Sequence, residues 1–245
     1  MAGASAERQE TGVVKSINDA YKKNKKNPVT LVAGNTQLEG VISANKYTGR
    51  QAGGSEPYTD VVIVVKSGRK DVDINCSLKG ESAPSLAGGG LKGLELAVPG
   101  IAKKFMNAAY KELKEKLKLK AGDKVPDVFG KISRKDKLKI VIGNKAMGGP
   151  IDYMYIGPMN VVAKYDAKNN VLTLNGSLIE AEEFANTHDL YFRLRARRED
   201  QRFDPNAKDA DGTPKIYGKS PSRGDSAGRI VVTDKVPSTG VIVTI

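Results

Sequence analysis

The chain has 245 residues, with 40 Lys and Arg against 28 Asp and Glu, a formal charge of +12 and a pI of about 9.6. Such an excess attracts polyanions and speeds their capture without defining a fold. One cysteine, Cys76, and one histidine, His188, exclude an internal disulfide, a Cys-based zinc site and a His-rich metal site, so any catalytic metal must be held by oxygen, which favours Mg²⁺ or Mn²⁺.

No apolar run approaches the roughly 20 residues that cross a bilayer. Met1 to Glu10 is small and polar, without the apolar core of a signal peptide. Nucleic acid, DNA with RNA not excluded, is therefore the expected polyanion, with no membrane partner. The composition suits a cytoplasmic protein, of a microbe or of a virus replicating in one. A Ser-His-Asp triad would have to use His188, and no G-x-S-x-G elbow is present.

In chain order, Val13, Val14, Ile17 and Tyr21 have helical spacing within residues 10–26, and Lys22, Lys23, Lys25 and Lys26 suit a helix C-terminus. Val29 to Ala33 reads as a short strand. Asn35 or Thr36 is expected to cap a second helix carrying Leu38, Val41, Ile42 and Lys46. Thr48 to Pro57 reads as a loop. Asp60 to Lys66 is a β-branched strand, Ser67-Gly68-Arg69 a turn, and Asp71 to Lys79 an alternating strand, together a hairpin. Alternation puts Val72, Ile74, Cys76 and Leu78 on one face and Asp71, Asp73, Asn75, Ser77 and Lys79 on the other.

Residues 80–93 read as a loop. Gly88-Gly89-Gly90 lacks the phosphate-binding G-x-x-x-x-G-K-[ST] pattern and is expected to touch a DNA backbone. Residues 99–119 are expected to form the longest helix, with Pro99 in its first turn. Leu138 to Gly143 and Asp152 to Ile156 read as strands. Val161 to Asp166 and Val171 to Leu174 read as a hairpin. Ser177 is expected to cap a helix through Asn186. Leu190 to Arg197 reads as a strand, 200–228 as a polar surface loop, and Arg229 to Thr233 and Val241 to Ile245 as closing strands. The expected fold is α/β, a central mixed sheet flanked by helices, in a single domain over 1–245.

Phosphodiester cleavage with Mg²⁺ needs carboxylates that hold the metal, a cation that positions water, and a scaffold that keeps both in reach. Asp60 ahead of the hairpin, and Ser77-Leu78-Lys79 at its end, have this layout. Here the chain resembles the PD-(D/E)XK nuclease superfamily, which includes many type II restriction endonucleases. In that family a helix precedes a hairpin with an acid on its first strand and (D/E)-x-K on its second; a helix and a further strand follow. The resemblance covers about residues 36–142, with a β-rich extension over about 150–245.

The resemblance implies a Mg²⁺-dependent (or Mn²⁺-dependent) DNA endonuclease, commonly a homodimer, with Asp60 as metal ligand and Lys79 as the water-positioning cation. It puts Glu39 on the preceding helix as an additional acid. Ser77 stands where the family usually has Asp or Glu. Some restriction enzymes with Ser-x-Lys take the missing carboxylate from the following helix, a part open to Glu95 or to the nearer Glu81. Asn75 and Ser77 share the polar face and are candidates to touch nucleic acid.

The same residues also read as ordinary sheet chemistry: Asp60 as a strand-start residue, Lys79 as an edge lysine that deters mispairing. Arg193, Arg195 and Arg197 point one way on a strand, with Arg198 beside them. Such a row fits phosphates or guanine edges, or is a solvated face. Two rival functions stand beside the nuclease: a catalytically inactive DNA-binding protein on the same fold, with Ser77 marking a lost site, and a structural component of a viral particle with a basic, nucleic-acid-facing surface.

Overall fold

The computed structural model of the chain describes residues 2–49, 57–81, 90–225 and 228–245. In chain order the elements are α1 (Ala2–Lys23), β1 (Val29–Ala33), β2 (Thr36–Lys46), β3 (Val61–Ser67), β4 (Lys70–Gly80), α2 (Gly90–Ala97), α3 (Ile101–Lys111), β5 (Val128–Lys131), α4 (Arg134–Ile142), β6 (Tyr153–Gly157), β7 (Ala163–Asp166), β8 (Val171–Leu174), β9 (Ser177–Glu180), α5 (Ala181–Thr187), β10 (Tyr191–Arg195), β11 (Arg229–Thr233) and β12 (Val241–Val243). The chain is mixed α/β, as its sequence pattern leads one to expect, with five α-helices among the described residues. It divides into two compact units, each built from two stretches of chain: Met1–Pro84 with Val141–Thr187, and Ser85–Ile140 with His188–Ile245.

The first unit is an eight-stranded sheet in the order β7-β8-β1-β2-β3-β4-β6-β9. β1 to β4 form an antiparallel meander; β6 joins β4 in parallel, and β8 joins β1 in parallel. α1 lies on this sheet through a stripe of Gln9, Val13, Ile17 and Ala20, all buried and spaced three or four residues apart, as one face of a helix requires. Val13, Ile17 and Ala20 pack with Leu31, Val41, Val61, Ile63, Cys76 and Leu78 in one core. Burying a Val or Ile side chain contributes about 1.5–3 kcal/mol, so this stripe anchors the helix. α1 is longer than the expected 10–26 and, at 22 residues, is the longest helix described.

The expected second helix is strand β2. Its apolar residues mimic helical spacing because the ladder is irregular on both sides of Gly40: register shifts fall between Val29 and Leu31 and between Val41 and Ser43. Gly40 has φ 76°, and an added Cβ would sit 2.7 Å from the Lys66 carbonyl oxygen, so a residue without a side chain is needed. The bulge shifts the phase of alternation, which places Leu38 and Val41 three apart.

The expected strand at Leu138 to Gly143 is helix α4. Ser133 caps it: its hydroxyl accepts from the Asp136 N–H and donates to the Asp136 carboxylate. That cap outweighs the β-branched run Ile140-Val141-Ile142. The expected helix from Ser177 begins as strand β9 and turns helical only at Ala181.

The second unit is a four-stranded sheet in the order β11-β10-β5-β12. Phe105 of α3 stacks on Phe192 of β10, ring centroids 5.5 Å apart. Phe129, Leu194, Phe203, Tyr217 and Val232 are buried in the same unit. The expected helix over 99–119 is instead α3 followed by a π-helical turn over Glu112–Lys116. Pro99 lies outside it, since Gly100 at its N-cap has φ 78°. The polar stretch after β10 is ordered in its described part, with bridges between Phe203 and Tyr217 and between Lys208 and Pro214.

Candidate functional site

Asp60 sits one residue ahead of β3, where Val61 pairs with Cys76 of β4. Its backbone is held on both sides: its N–H donates to the Cys76 carbonyl, and its carbonyl accepts from the Tyr47 N–H. The side chain then does what backbone does elsewhere in the ladder. Oδ2 accepts from the Leu78 N–H at 2.6 Å and from the Ser77 hydroxyl at 3.1 Å. Lys79 Nζ stands 3.9 Å from the same oxygen. No described residue donates a hydrogen bond to Oδ1. Asp60, Ser77 and Lys79 therefore converge.

The sequence reading passed over one residue whose charge couples to that of Asp60. Glu10 of α1 lies close enough to Asp60 to respond to its charge. Burial first, and then the Asp60 carboxylate, push the Glu10 carboxyl above its ordinary value, against the pull of Lys46. Lys46 Nζ is 3.5 Å from Glu10 and 3.9 Å from Glu7. The neighbouring Gln9 is buried and donates from Nε2 to the carbonyls of Gly157 and Lys79, which ties α1 to the backbone of β4 at Lys79. The signal was present: the stripe through Val13 and Ile17 runs back four residues to Gln9, beside Glu10.

The other candidates have other partners. Glu39 is on β2, not on a helix, and accepts from Gln37. It precedes Val41, whose partner is Val65, while Lys46 pairs with Val61; at about 3.3 Å per residue Glu39 is roughly 20 Å along the sheet from Asp60. Glu81 is exposed in the turn after β4; burial first, and then the charge of Glu81, push the Tyr155 hydroxyl above its ordinary value. Glu95 is in the second unit, where both carboxylate oxygens accept from backbone N–H groups at the start of α3, those of Gly100 and Ala102. Asn75 is engaged by Pro150 and Asp152. Of the glycine loop, Gly88 and Gly89 lie outside the described residues.

The arginine row divides. Arg193 Nη2 pairs with Asp127 at 2.5 Å, and its guanidinium lies over Phe129. Arg198 pairs with Asp225 at 3.7 Å. Arg195 is exposed at the end of β10, and Arg197 lies beyond the strand. Arg195, Arg197 and Arg198 line a cleft of about 490 Å³ in the second unit.

Among the described residues no group of three or more His, Cys, Asp or Glu is placed to hold a metal. Glu10 and Asp60 supply two carboxylates, and Ser77 a buried hydroxyl. An all-oxygen set of this kind suits Mg²⁺, which is commonly bound by one or two carboxylates together with waters and substrate phosphate. Among the described residues no helix is long and apolar enough to cross a membrane. Compared with known proteins, the chain matches no family model, no curated protein and no solved structure.

Proposed function

We propose that the chain is a metal-dependent phosphodiesterase that cleaves DNA, related in layout to the PD-(D/E)XK nucleases. The observation that carries this reading is the convergence of Asp60, Ser77 and Lys79 across the β3–β4 pair; Glu10 of α1 feels the charge of Asp60. The order of elements supports it. A helix precedes the meander, Asp60 opens one strand of its last hairpin, Ser77-x-Lys79 closes the other, and after intervening helices β6 lies parallel to β4. Glu10 takes the place that Glu39 was expected to fill. The net charge of +12 favours capture of a polyanionic substrate, and a chain with one cysteine suits a reducing, cytoplasmic setting.

In this reading Asp60 and Glu10 hold Mg²⁺ or Mn²⁺, which would supply charge stabilisation at the scissile phosphate and acidify bound water. Asp60 offers Oδ1, since Oδ2 is committed to the Leu78 N–H. Lys79, with an 18% exposed side chain, orients the attacking water and neutralises charge on the phosphate. Gln9 fixes the backbone of Lys79. The restriction-enzyme likeness brings with it a homodimer, to be measured by light scattering.

A second reading rests on Ser77. A hydroxyl 1% exposed stands where the family usually has an acid, and the site has two carboxylates rather than three. In that reading the chain binds DNA without cutting it. Incubating plasmid and linear DNA with the protein separates the two, with Mg²⁺, Mn²⁺ or EDTA, beside Asp60→Asn. Metal-dependent fragments that vanish in the variant support the nuclease. Retarded but intact DNA under every metal supports the binding protein.

A further inference from the structure

The second unit carries an arrangement that the chemistry at Asp60 does not use. β10 and β11 run antiparallel with Arg195 directly opposite Arg229. Side chains so opposed stand about 4.5–5.5 Å apart at Cβ, and like charges there repel. Among the described residues no carboxylate forms an ion pair with Arg195, Arg229, Arg197 or Lys124, whereas Arg193 and Arg198 have Asp127 and Asp225. Two adjoining clefts, of about 490 and 290 Å³, share residues 195–198 as a wall; Lys124 and Arg202 line the first beside two carboxylates, Glu199 and the Arg193-paired Asp127, and Arg229 lines the second. The fold thus maintains a repulsive pair at the mouth of a groove with a surplus of cations.

We infer that these clefts dock the phosphodiester backbone of nucleic acid, with Arg195, Arg197 and Arg229 as the groups that meet phosphate. A phosphate between Arg195 and Arg229 replaces their repulsion with charge-assisted hydrogen bonds, and the weakly hydrated, planar guanidinium suits that contact. Membrane binding at such a surface would need apolar side chains to insert. Among the described residues none of the exposed large hydrophobics, such as Leu117, Met159 or Ile242, lines either cleft. Contacts to phosphate fix position without reading bases, so the docking is indifferent to sequence. It needs no metal and stands apart from the reaction at Asp60.

The test is fluorescence anisotropy of a labelled DNA duplex in EDTA, titrated with salt. The full chain is compared with the triple variant Arg195→Gln, Arg197→Gln, Arg229→Gln, the triple Lys variant at the same positions, and Asp60→Asn. Each phosphate contact contributes about 0.9 to the slope of log K against log salt. The Gln triple should flatten that slope by about two to three and weaken binding at least about tenfold at moderate salt. The Lys triple keeps the charges and should keep most of the slope. Thermal melting of the Gln triple should match or exceed that of the parent, because a like-charge pair is gone; if the Gln triple does not fold, Arg195→Gln alone should flatten the slope by about one.

An unchanged slope and constant in a folded Gln triple overturn the inference. So does loss of binding in Asp60→Asn with the Gln triple unaffected, or arginine-dependent binding only to phosphatidylserine vesicles. Displacement of duplex by tripolyphosphate at an equal or lower phosphate concentration overturns nucleic acid as the ligand. Intact arginine-dependent binding with no cleavage in Mg²⁺ refutes the nuclease reading and leaves this one standing.

Discussion

In Asp60→Ala the Leu78 N–H and the Ser77 hydroxyl lose the acceptor they share at 2.6 and 3.1 Å. A hydrogen bond to an ionised group contributes about 1.5–3 kcal/mol, and a buried donor left unpaired costs about 1–3. The hydroxyl can turn to another acceptor, whereas the amide of a strand cannot. Lys79, partly exposed at 3.9 Å, adds less than about 1 kcal/mol. The substitution should therefore cost about 2–4 kcal/mol. At about 2–4 °C per kcal/mol for a chain of this length, that is a fall in Tm of roughly 5–15 °C. Asp60→Asn keeps an oxygen for the Leu78 N–H and should cost about 1 kcal/mol. Both variants should lose Mg²⁺-dependent cleavage, because alanine offers the cation no ligand and a neutral amide a weaker one than a carboxylate. Circular dichroism melts, run beside plasmid cleavage, read the two effects separately. An alanine variant melting within about 2 °C of the parent would refute the structural argument. An asparagine variant that cuts at the parent rate would remove Asp60 from the metal.

Three further outcomes are expected. The Glu10 carboxyl is raised by burial and by Asp60, so its ionised form is the costly one in the fold; that cost is present above the raised pKa and disappears as pH falls through it. Glu10→Gln should accordingly melt slightly higher than the parent near neutral pH, by less than about 1 kcal/mol given its exposure, converge with it in acid, and lose cleavage; a lower melt at neutral pH would contradict this. Gly40→Ala places a Cβ 2.7 Å from the Lys66 carbonyl at φ 76° and should cost about 1–3 kcal/mol, read as a lower urea midpoint. Asp211 is held down to about 2 by the Thr213 hydroxyl and N–H and by Lys103. Its contribution is present above the unfolded value of about 3.9 and is lost as pH falls through about 2. Urea midpoints of parent and Asp211→Asn should therefore draw together across that interval.

The strands most legible in the sequence were a β-branched run and a strictly alternating one with a turn residue between them. β3 and β4, joined at Gly68 (φ 62°), carry their own register, and Asp60 and Lys79 came with them. β2 was hidden because the irregular ladder around Gly40 turned a period of two into a spacing of three. α4 was hidden because its apolar residues are β-branched and its capping pair, Ser133 and Asp136, is short and local. Glu10 was missed for a different reason: the helical stripe that runs back to Gln9 marks where α1 packs, but the relation of Glu10 to Asp60, about 50 residues away in the chain, is made only by packing α1 on the sheet. Glu95 had the right residue type, yet its carboxylate serves the backbone at the start of α3.

β4 pairs in parallel with β6, which lies beyond the residues that begin the second unit. During synthesis, at about 5–20 residues per second, roughly 70 residues must follow Gly80 before Tyr153 emerges. Until then the outer edge of β4 is an open row of N–H and C=O groups, a template for pairing with another chain. A nascent chain of this protein thus passes several seconds with its Ser77–Lys79 edge unsealed. Pairings so distant in sequence also form slowly on refolding. Chains released before Tyr153 should aggregate through β4, and Lys79 reaches its final setting only when β6 has docked beside it.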